Sequence, residues 1–564
     1  MKYLPSINWM KTYRRSDLRG DLVAGITVAV LLIPQGMAYS MLAGLPPVYG
    51  LYAVTIPLLL YGLLGTSRQL AVGPVAMVAL LIASGLEGLA DPGSTDYIQL
   101  AILLALLVGI IQLVMGLTGM GYLVNFLAHP VVAGFTSAVA IIIAVSQMRL
   151  LLGLDIGRGG VVETLIAIAK DIALTHRPTA LLGFSAIALL LLGRRYSSVI
   201  PTPLVLVVLS VIAIRLLDLD TAGVKIVRDV PSGLPSFTLP HWDRGSVMTL
   251  LPMAFTIALV GFMESIAVAQ KLQRRYKDYT IDSSQELRAL GMANLVGSFF
   301  QSFPVTGGFS RSAVNDEAGA RTGLASIISS VLIMLSLLFF TQLFYYIPIV
   351  VLAAIIIVAV SRLIDFSELR MLWRTDRQDA LLFAVTFLVT LLVSVETGII
   401  VGVALSILML ALFSSRPHVA ILGEIKGTGV YRNVDRFPDA RTVVDTIIIR
   451  PDAPLYFANV HSIKSVVRNA IVDHRYIILH CGSMTRLDSS GAEALKELSQ
   501  EAAEQSCVLI MSDMIGPVRD TMRRHGLFAD LGNSRFYATV EDAVDSIESS
   551  ADDRLSGIQL QSEL

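Results

Sequence analysis

The sequence predicts a polytopic α-helical membrane protein, fourteen spans in a seven-plus-seven inverted repeat, followed by a small cytosolic α/β domain. Three observations carry this reading. Of the 564 residues 54% are hydrophobic and 15% charged, and the mean hydropathy is +0.69, more apolar than a soluble globular chain. Apolar runs long enough to cross a hydrocarbon core of ~30 Å recur as far as about residue 415. Beyond Arg416 they give way to strand-like runs alternating with amphipathic helices. The net charge of −1 carries no message, because charge in a membrane protein acts by position. It lends no support to nucleic-acid binding.

Residues 1–20 hold Lys2, Lys11, Arg14, Arg15 and Arg19 together with Trp9 and Tyr13, the composition of a cytosolic amphipathic N-terminus lying against headgroups. No small-residue cleavage site follows, so no removable signal peptide is read. The transmembrane region is placed at 21–415, with spans near 22–43, 48–65, 74–90, 98–117, 130–152, 178–193, 199–217 and 248–270. A second series follows near 287–303, 310–319, 323–342, 345–361, 379–395 and 397–413. Arg68, Arg194 and Arg195, the run Lys271, Arg274, Arg275 and Lys277, Arg321, and the bases from Arg362 to Arg377 all follow even-numbered spans. That places them inside and returns both termini to the cytoplasm of a cell (inner) membrane. The longer outer connections, around 153–177 and 218–247, contain bases too, which fits the rule poorly.

Two spans are interrupted in corresponding positions, the third by Gly73 and Pro74 and the tenth by Pro304, Gly307 and Gly308. Paired breaks of this kind point to discontinuous helices meeting at a midplane binding site, and the odd offset between them makes the repeats inverted. The second break lies in FPVTGGFSRSAVNDEAGAR (303–321), which brings Arg311 to bilayer depth. A guanidinium there costs roughly 3 kcal/mol or more unless it meets protein, water or a counter-charge. A helix restarting beside it aims free N–H groups and the positive dipole end at one spot. Ser310, Arg311 and Ser312 would then replace the hydration of an oxyanion. Gln35 and Tyr39, one helical turn apart in IPQGMAYS, could complete the pocket. Glu264 is the only ionisable side chain between Thr249 and Ala269. A carboxylate and an anion sharing one pocket repel, so proton binding and anion binding there would be linked. Each of these residues also has a plainer reading: Arg311 as one half of a buried ion pair, and Gln35 and Tyr39 as interhelical glue. His129, Glu163 and Glu396 are read as loop or span-end residues.

After a linker at 416–440, the α/β domain is placed at 441–550 and a disordered tail at 551–564. Cys481 and Cys507 fall in this domain without metal-ligand spacing, as expected of a reduced cytosolic tail. Asp488 and Ser489 stand at a helix start, where capping is the ordinary role. No nucleotide loop, metal cluster or catalytic triad stands out, so neither an enzyme nor a cofactor is expected.

The stretches DLVAGITVAVLLIPQGMAYSMLAGLPPVYGLYA (21–53), GTSRQLAVGPVAM (65–77) and FPVTGGFSRSAVNDEAGAR (303–321) resemble the sulfate permease family, which includes prestin, pendrin and plant sulfate transporters. The C-terminal domain resembles a STAS domain, the module of bacterial anti-sigma factor antagonists. The resemblance implies a core domain of spans 1–4 and 8–11, a gate domain of spans 5–7 and 12–14, elevator-like alternating access and a homodimer. It implies an anion site between two helix starts, one at Val72, Gly73, Pro74, Val75 and Ala76, the other at Phe309, Ser310, Arg311 and Ser312. It further implies proton coupling through Glu264 and regulation by phosphorylation at Ser489. The expected partners are a small inorganic or organic anion, protons and the lipid bilayer. The expected function is proton-coupled sulfate uptake. The alternatives are another anion (bicarbonate, chloride or a dicarboxylate), an anion channel, or an anion-sensing receptor.

Overall fold

The computed structural model describes residues 5–122, 128–157, 159–196, 202–276 and 279–549. The expected tail at 551–564, Lys277 and the side chains of Arg194, Arg195 and Glu396 lie outside the described residues. The chain divides into two compact units, Met1–Ser406 and Ile407–Leu564.

Fourteen helical spans are described. The first seven are Arg15–Leu42, Pro47–Leu64 (kinked after Tyr52), Ala76–Leu86, Thr95–Leu117, His129–Leu152, Arg177–Tyr196 and Thr202–Leu216. The second seven are Arg244–Gln273, Ser283–Ser298, Phe309–Glu317, Leu324–Phe339, Ile349–Val360, Arg377–Leu392 and Val395–Ser415. Spans 3 and 10 are half-helices of 11 and 9 residues, each preceded by a two-residue strand, β1 (Val72–Gly73) and β2 (Thr306–Gly307). Span 1 starts at Arg15, inside the region assigned from sequence to the N-terminal segment, and a short helix, Pro5–Thr12, precedes it.

The packing sorts the spans into the two expected groups. Span 9 lies along spans 4 and 2, span 11 along spans 1 and 2, and span 8 along spans 4 and 3. Spans 5, 6, 12 and 13 pack among themselves, and span 7 on span 6. Spans 4 and 9 cross at glycines from both sides: a Cβ at Gly109 would come 2.4 Å from the Leu295 nitrogen, and one at Gly291 2.6 Å from the Leu113 nitrogen. Only backbone without side chains permits that approach.

Two fully buried carboxylates anchor the loops beside the half-helices. Glu286, at the start of span 9, accepts from Tyr61 Oη at 2.7 Å, Thr66 N and Oγ1 at 2.6 Å and Ser67 N at 3.0 Å. Asp21, in span 1, accepts from Arg321 N at 2.7 Å, Thr322 N at 3.0 Å and Thr322 Oγ1 at 2.6 Å. Neither has an ionic partner among the described residues; hydrogen-bond donors alone hold each charge, as buried carboxylates require.

The C-terminal unit is a seven-stranded mixed sheet: β3 (Val419–Ile425), β4 (Val430–Asn433), β5 (Ala440–Arg441), β6 (Thr446–Pro451), β7 (Tyr476–His480), β8 (Val508–Ser512) and β9 (Phe536–Tyr537). Strands β6 to β9 run parallel, with helices Val460–Asp473 and Ser489–Glu504 in the crossovers. The segment read as a linker, 416–440, is corrected here. Its β3 pairs with β6, aligning Ile421 with Ile449, and with β4, so it is built into the sheet.

Replacing Glu286 with leucine strands four donors at once. The expected loss is roughly 3 kcal/mol or more, read as a lowered unfolding midpoint of the detergent-purified protein. Glu163→Leu, which removes a single capping hydrogen bond at an exposed helix start, should lower the midpoint far less.

Candidate functional site

The two short strands meet antiparallel, Val72 opposite Gly307 and Gly73 opposite Thr306, and join the repeats where both spans break. Each strand feeds a half-helix whose start lacks a side-chain cap: the N-cap residues are Val75 and Gly308. By contrast Ser94, Asp243, Asp282 and Asp376 cap the starts of spans 4, 8, 9 and 13. The first N–H groups of both half-helices, from Ala76 and from Phe309 onward, have no carbonyl one turn back. They form two sets of donors with their dipoles' positive ends at the crossing.

Arg311 is 2% exposed, and its partners differ from those expected. Its Nε donates to Ala71 O at 2.8 Å, Nη1 to Pro74 O at 2.5 Å, and Nη2 to Gly73 O at 2.7 Å and Thr306 O at 2.8 Å. The planar fork expected to grip an anion is engaged by backbone carbonyls on both strands. The reason is local. Where a helix is interrupted, carbonyls lose their amide partners, and in a membrane interior only a nearby donor replaces them. The paired-carboxylate reading fails for the same reason, since among the described residues no carboxylate touches the guanidinium. Ser312 is likewise turned into the crossing: its Oγ accepts from Ala71 N at 2.9 Å and donates to Gly308 O at 2.7 Å.

Other expected residues keep unengaged groups. The side chains of Gln35 and Tyr39, 5% and 7% exposed, receive no hydrogen bond from the described residues. Ser310 is half-buried and its hydroxyl is similarly unengaged, while Phe309 is 41% exposed. Tyr39, Glu264 and Arg311 lie within mutual electrostatic reach. Glu264 Oε2 is buried without a hydrogen-bond partner among the described residues. Gly73, Val75 and Ala76 are buried at the opposing helix start, where a Cβ on Gly73 would come 2.8 Å from Val54 Cγ1 and 3.5 Å from the guanidinium carbon.

Sequence reasoning missed the residues that fasten span 8 to this crossing. Ser265 Oγ shares a 2.7 Å hydrogen bond with Thr306 Oγ1 and accepts from Gly307 N at 2.8 Å, and Thr306 Oγ1 donates to Gly261 O at 2.5 Å. Glu264 is thereby held one residue from the fastening. Buried Asn294 bonds Val305 through both its amide nitrogen and oxygen, at 3.0 and 2.8 Å, and takes Gln112 as a further partner. The signal was present in Gly261 and Ser265, small residues one turn apart on a long apolar helix. Ser489, exposed, opens its helix behind Asp488, whose carboxylate accepts from Gly491 N at 2.8 Å and Phe457 N at 3.0 Å. Asp488 is the cap, as expected. His129 pairs with Glu368 at 2.7 Å near the surface, and Glu163 closes its own helix start.

Residues 18–386 match the sulfate permease family and residues 437–543 the STAS domain. Sulfate transporter 4.1, chloroplastic, of Arabidopsis thaliana is 40% identical over 96% of this chain and 82% of its own length. A probable sulfate transporter of Mycobacterium tuberculosis is 33% identical over 96% of this chain and 97% of its own. Among solved structures, murine Slc26a9, described as an anion transporter in the inward-facing state, superposes with a TM-score of 0.90 at 26% identity, over 97% of this chain and 94% of that one.

Arg311→Lys keeps the charge but offers a compact ammonium that cannot reach four carbonyls in two directions. It should lower thermal stability as well as any anion affinity, by roughly 2 kcal/mol or more in unfolding free energy. A variant that folds as stably as the native chain and differs only in binding would contradict this geometry.

Proposed function

The chain belongs to the sulfate permease family and carries a STAS domain, and from that premise we propose that it takes up sulfate by proton-coupled secondary transport. The observation that carries the reading is the crossing itself. Two uncapped half-helix starts, the Ser310 hydroxyl and the free amide and phenol of Gln35 and Tyr39 together supply N–H and O–H donors, while Arg311 and Ser312 occupy the nearby carbonyls. A pocket lined by donors and backed by a permanent positive charge suits an oxyanion. The names of its relatives make sulfate the first anion to test.

Glu264 is the proposed proton carrier. Its unpartnered oxygen lies within electrostatic reach of Arg311 and Tyr39, so protonation removes a negative charge that would otherwise oppose the anion. The proposed cycle moves spans 1–4 and 8–11 as one body against spans 5–7 and 12–14, in a homodimer with both termini in the cytoplasm. The fastenings of span 8 to β2, and of both half-helices to each other, favour rigid-body movement over local opening. The STAS domain, with exposed Ser489 at its helix start, is proposed as the regulatory unit.

Proteoliposomes holding the purified chain should accumulate radiolabelled sulfate faster under an inward proton gradient than without one. Glu264→Gln should retain sulfate uptake while losing at least most of that stimulation. Stimulation that survives the substitution removes Glu264 from the coupling, and competition by unlabelled bicarbonate, chloride and dicarboxylates ranks the anions directly.

A further inference from the structure

We propose that Lys271, seated over the Phe309 ring, is an anion-staging site in a water-filled passage along the C-terminal half of span 8. The inference rests on the transport reading above and adds a second station to it. The exposed face of span 8 changes character midway. In the first half, past its first turn, it is dominated by Met248, Leu251 and Phe255, which are 60%, 42% and 51% exposed, with Thr249 and Pro252 beside them, an apolar face suited to hydrocarbon. From half-buried Glu264 onward, the exposed positions are Ala267, Gln270 and Lys271 in the helix and Arg274 and Arg275 just beyond it. They recur every third or fourth residue and therefore form one stripe. Ionisable and amide groups within a span are tolerated only against protein or water. Among the described residues no protein covers these positions, which leaves water as the surroundings that their amide and charged groups require.

One exposure and one contact say where the passage leads. Phe309, the first residue of half-helix 10, is 41% exposed, so the opening reaches the helix start that lines the pocket. Lys271 Nζ stands 4.6 Å from the centroid of that ring. A lysine near the end of a span ordinarily extends its stem toward the headgroups. This one is laid against the aromatic at the mouth of the site instead. No carboxylate among the described residues pairs with it, whereas neighbouring Arg275 is bound to Asp316 at 2.6 Å. Lys271 and Glu264 are seven residues apart and so lie on one face, separated by two turns or about 10 Å.

The chemistry divides between the two cations. Arg311 is locked to carbonyls and cannot follow a moving ion. An ammonium on a flexible stem is a point charge with three rotatable donors, suited to brief capture of a small hydrated oxyanion. A ring quadrupole holds it weakly enough for the anion to replace the ring. The anion would pass from Lys271 along the stripe to the paired helix starts.

The test uses the full chain. Its two native cysteines, Cys481 and Cys507, are both buried, and burial pushes the Cys481 thiol up to about 12 and raises that of Cys507. They form a silent background for single-cysteine substitutions. In proteoliposomes, Ala267→Cys and Gln270→Cys should react with a membrane-impermeant cationic methanethiosulfonate, sulfate should slow the reaction at Ala267→Cys at least about twofold, and Phe255→Cys should stay unmodified. Lys271→Gln should raise KM for labelled sulfate presented on the face where span 8 ends by about fivefold with kcat retained, while KM on the opposite face stays put. Lys271→Arg should restore the lower KM. An unreactive Ala267→Cys in a transport-competent protein, or an unaltered KM in Lys271→Gln, overturns the proposal. Wild-type protein that moves no sulfate would instead defeat the transport reading, and thiol accessibility would still decide whether the passage exists.

Discussion

Interrupting two helices inside a membrane bundle leaves carbonyls without amides, and the structure answers this with one guanidinium. Arg311 donates to Ala71, Gly73 and Pro74 of one broken segment and to Thr306 of the other. The antiparallel pairing of β1 with β2 supplies the remaining order. Without a donor at this position, several buried carbonyls would each lack a partner, at about 1–3 kcal/mol apiece, and two half-helix starts could not be held face to face. The fastening of span 8 through Ser265 and Thr306, and the carboxylate anchors at Asp21 and Glu286, act on a crossing that the arginine has already closed.

The same bonds set the polarity of the site. A broken helix exposes acceptors at one end and donors at the next. Here the acceptors are taken by Arg311 and Ser312, and the donors at Ala76 and Phe309 are not. What remains toward the pocket is a surface of N–H and O–H groups with a positive charge behind it. Donors aimed at one spot with a positive charge behind them favour an anion, and the Glu264 carboxylate is the acceptor that opposes it until it is protonated.

Much of this was legible from sequence, because membrane chains carry strong constraints. The two Gly/Pro interruptions, the arginine beside one of them and the apolar runs fixed the span order and the location of the crossing. The partners of Arg311 were not legible. A guanidinium suits oxyanions and carbonyls equally well, and which it meets depends on Ala71 and Pro74, brought together only by folding. The strand β3 was read as linker because Arg416, Pro417 and His418 set VAILGEI apart from both the helix Val395–Ser415 and the domain that follows, and its pairing with β6 arises only on folding. Gly261 and Ser265 marked a small-residue face on span 8, but its partner Thr306 was not legible, because small hydroxyl residues are common in transmembrane helices and no periodicity reveals which neighbour they meet.

The strand pair that joins the repeats also bears on how the protein is made. Ala71 and Arg311 stand 240 positions apart. At about 5–20 residues per second, the ribosome needs roughly 10–50 s to travel from one to the other. Throughout that interval the nascent third span carries an extended stretch whose backbone has no permanent partner, in surroundings that punish unpaired amides. The first repeat must therefore be sheltered by the insertion machinery, by water at the bilayer surface or by a chaperone until the second repeat arrives. Biogenesis of this transporter is thus a waiting problem, and its most vulnerable moment comes before the arginine has been synthesised.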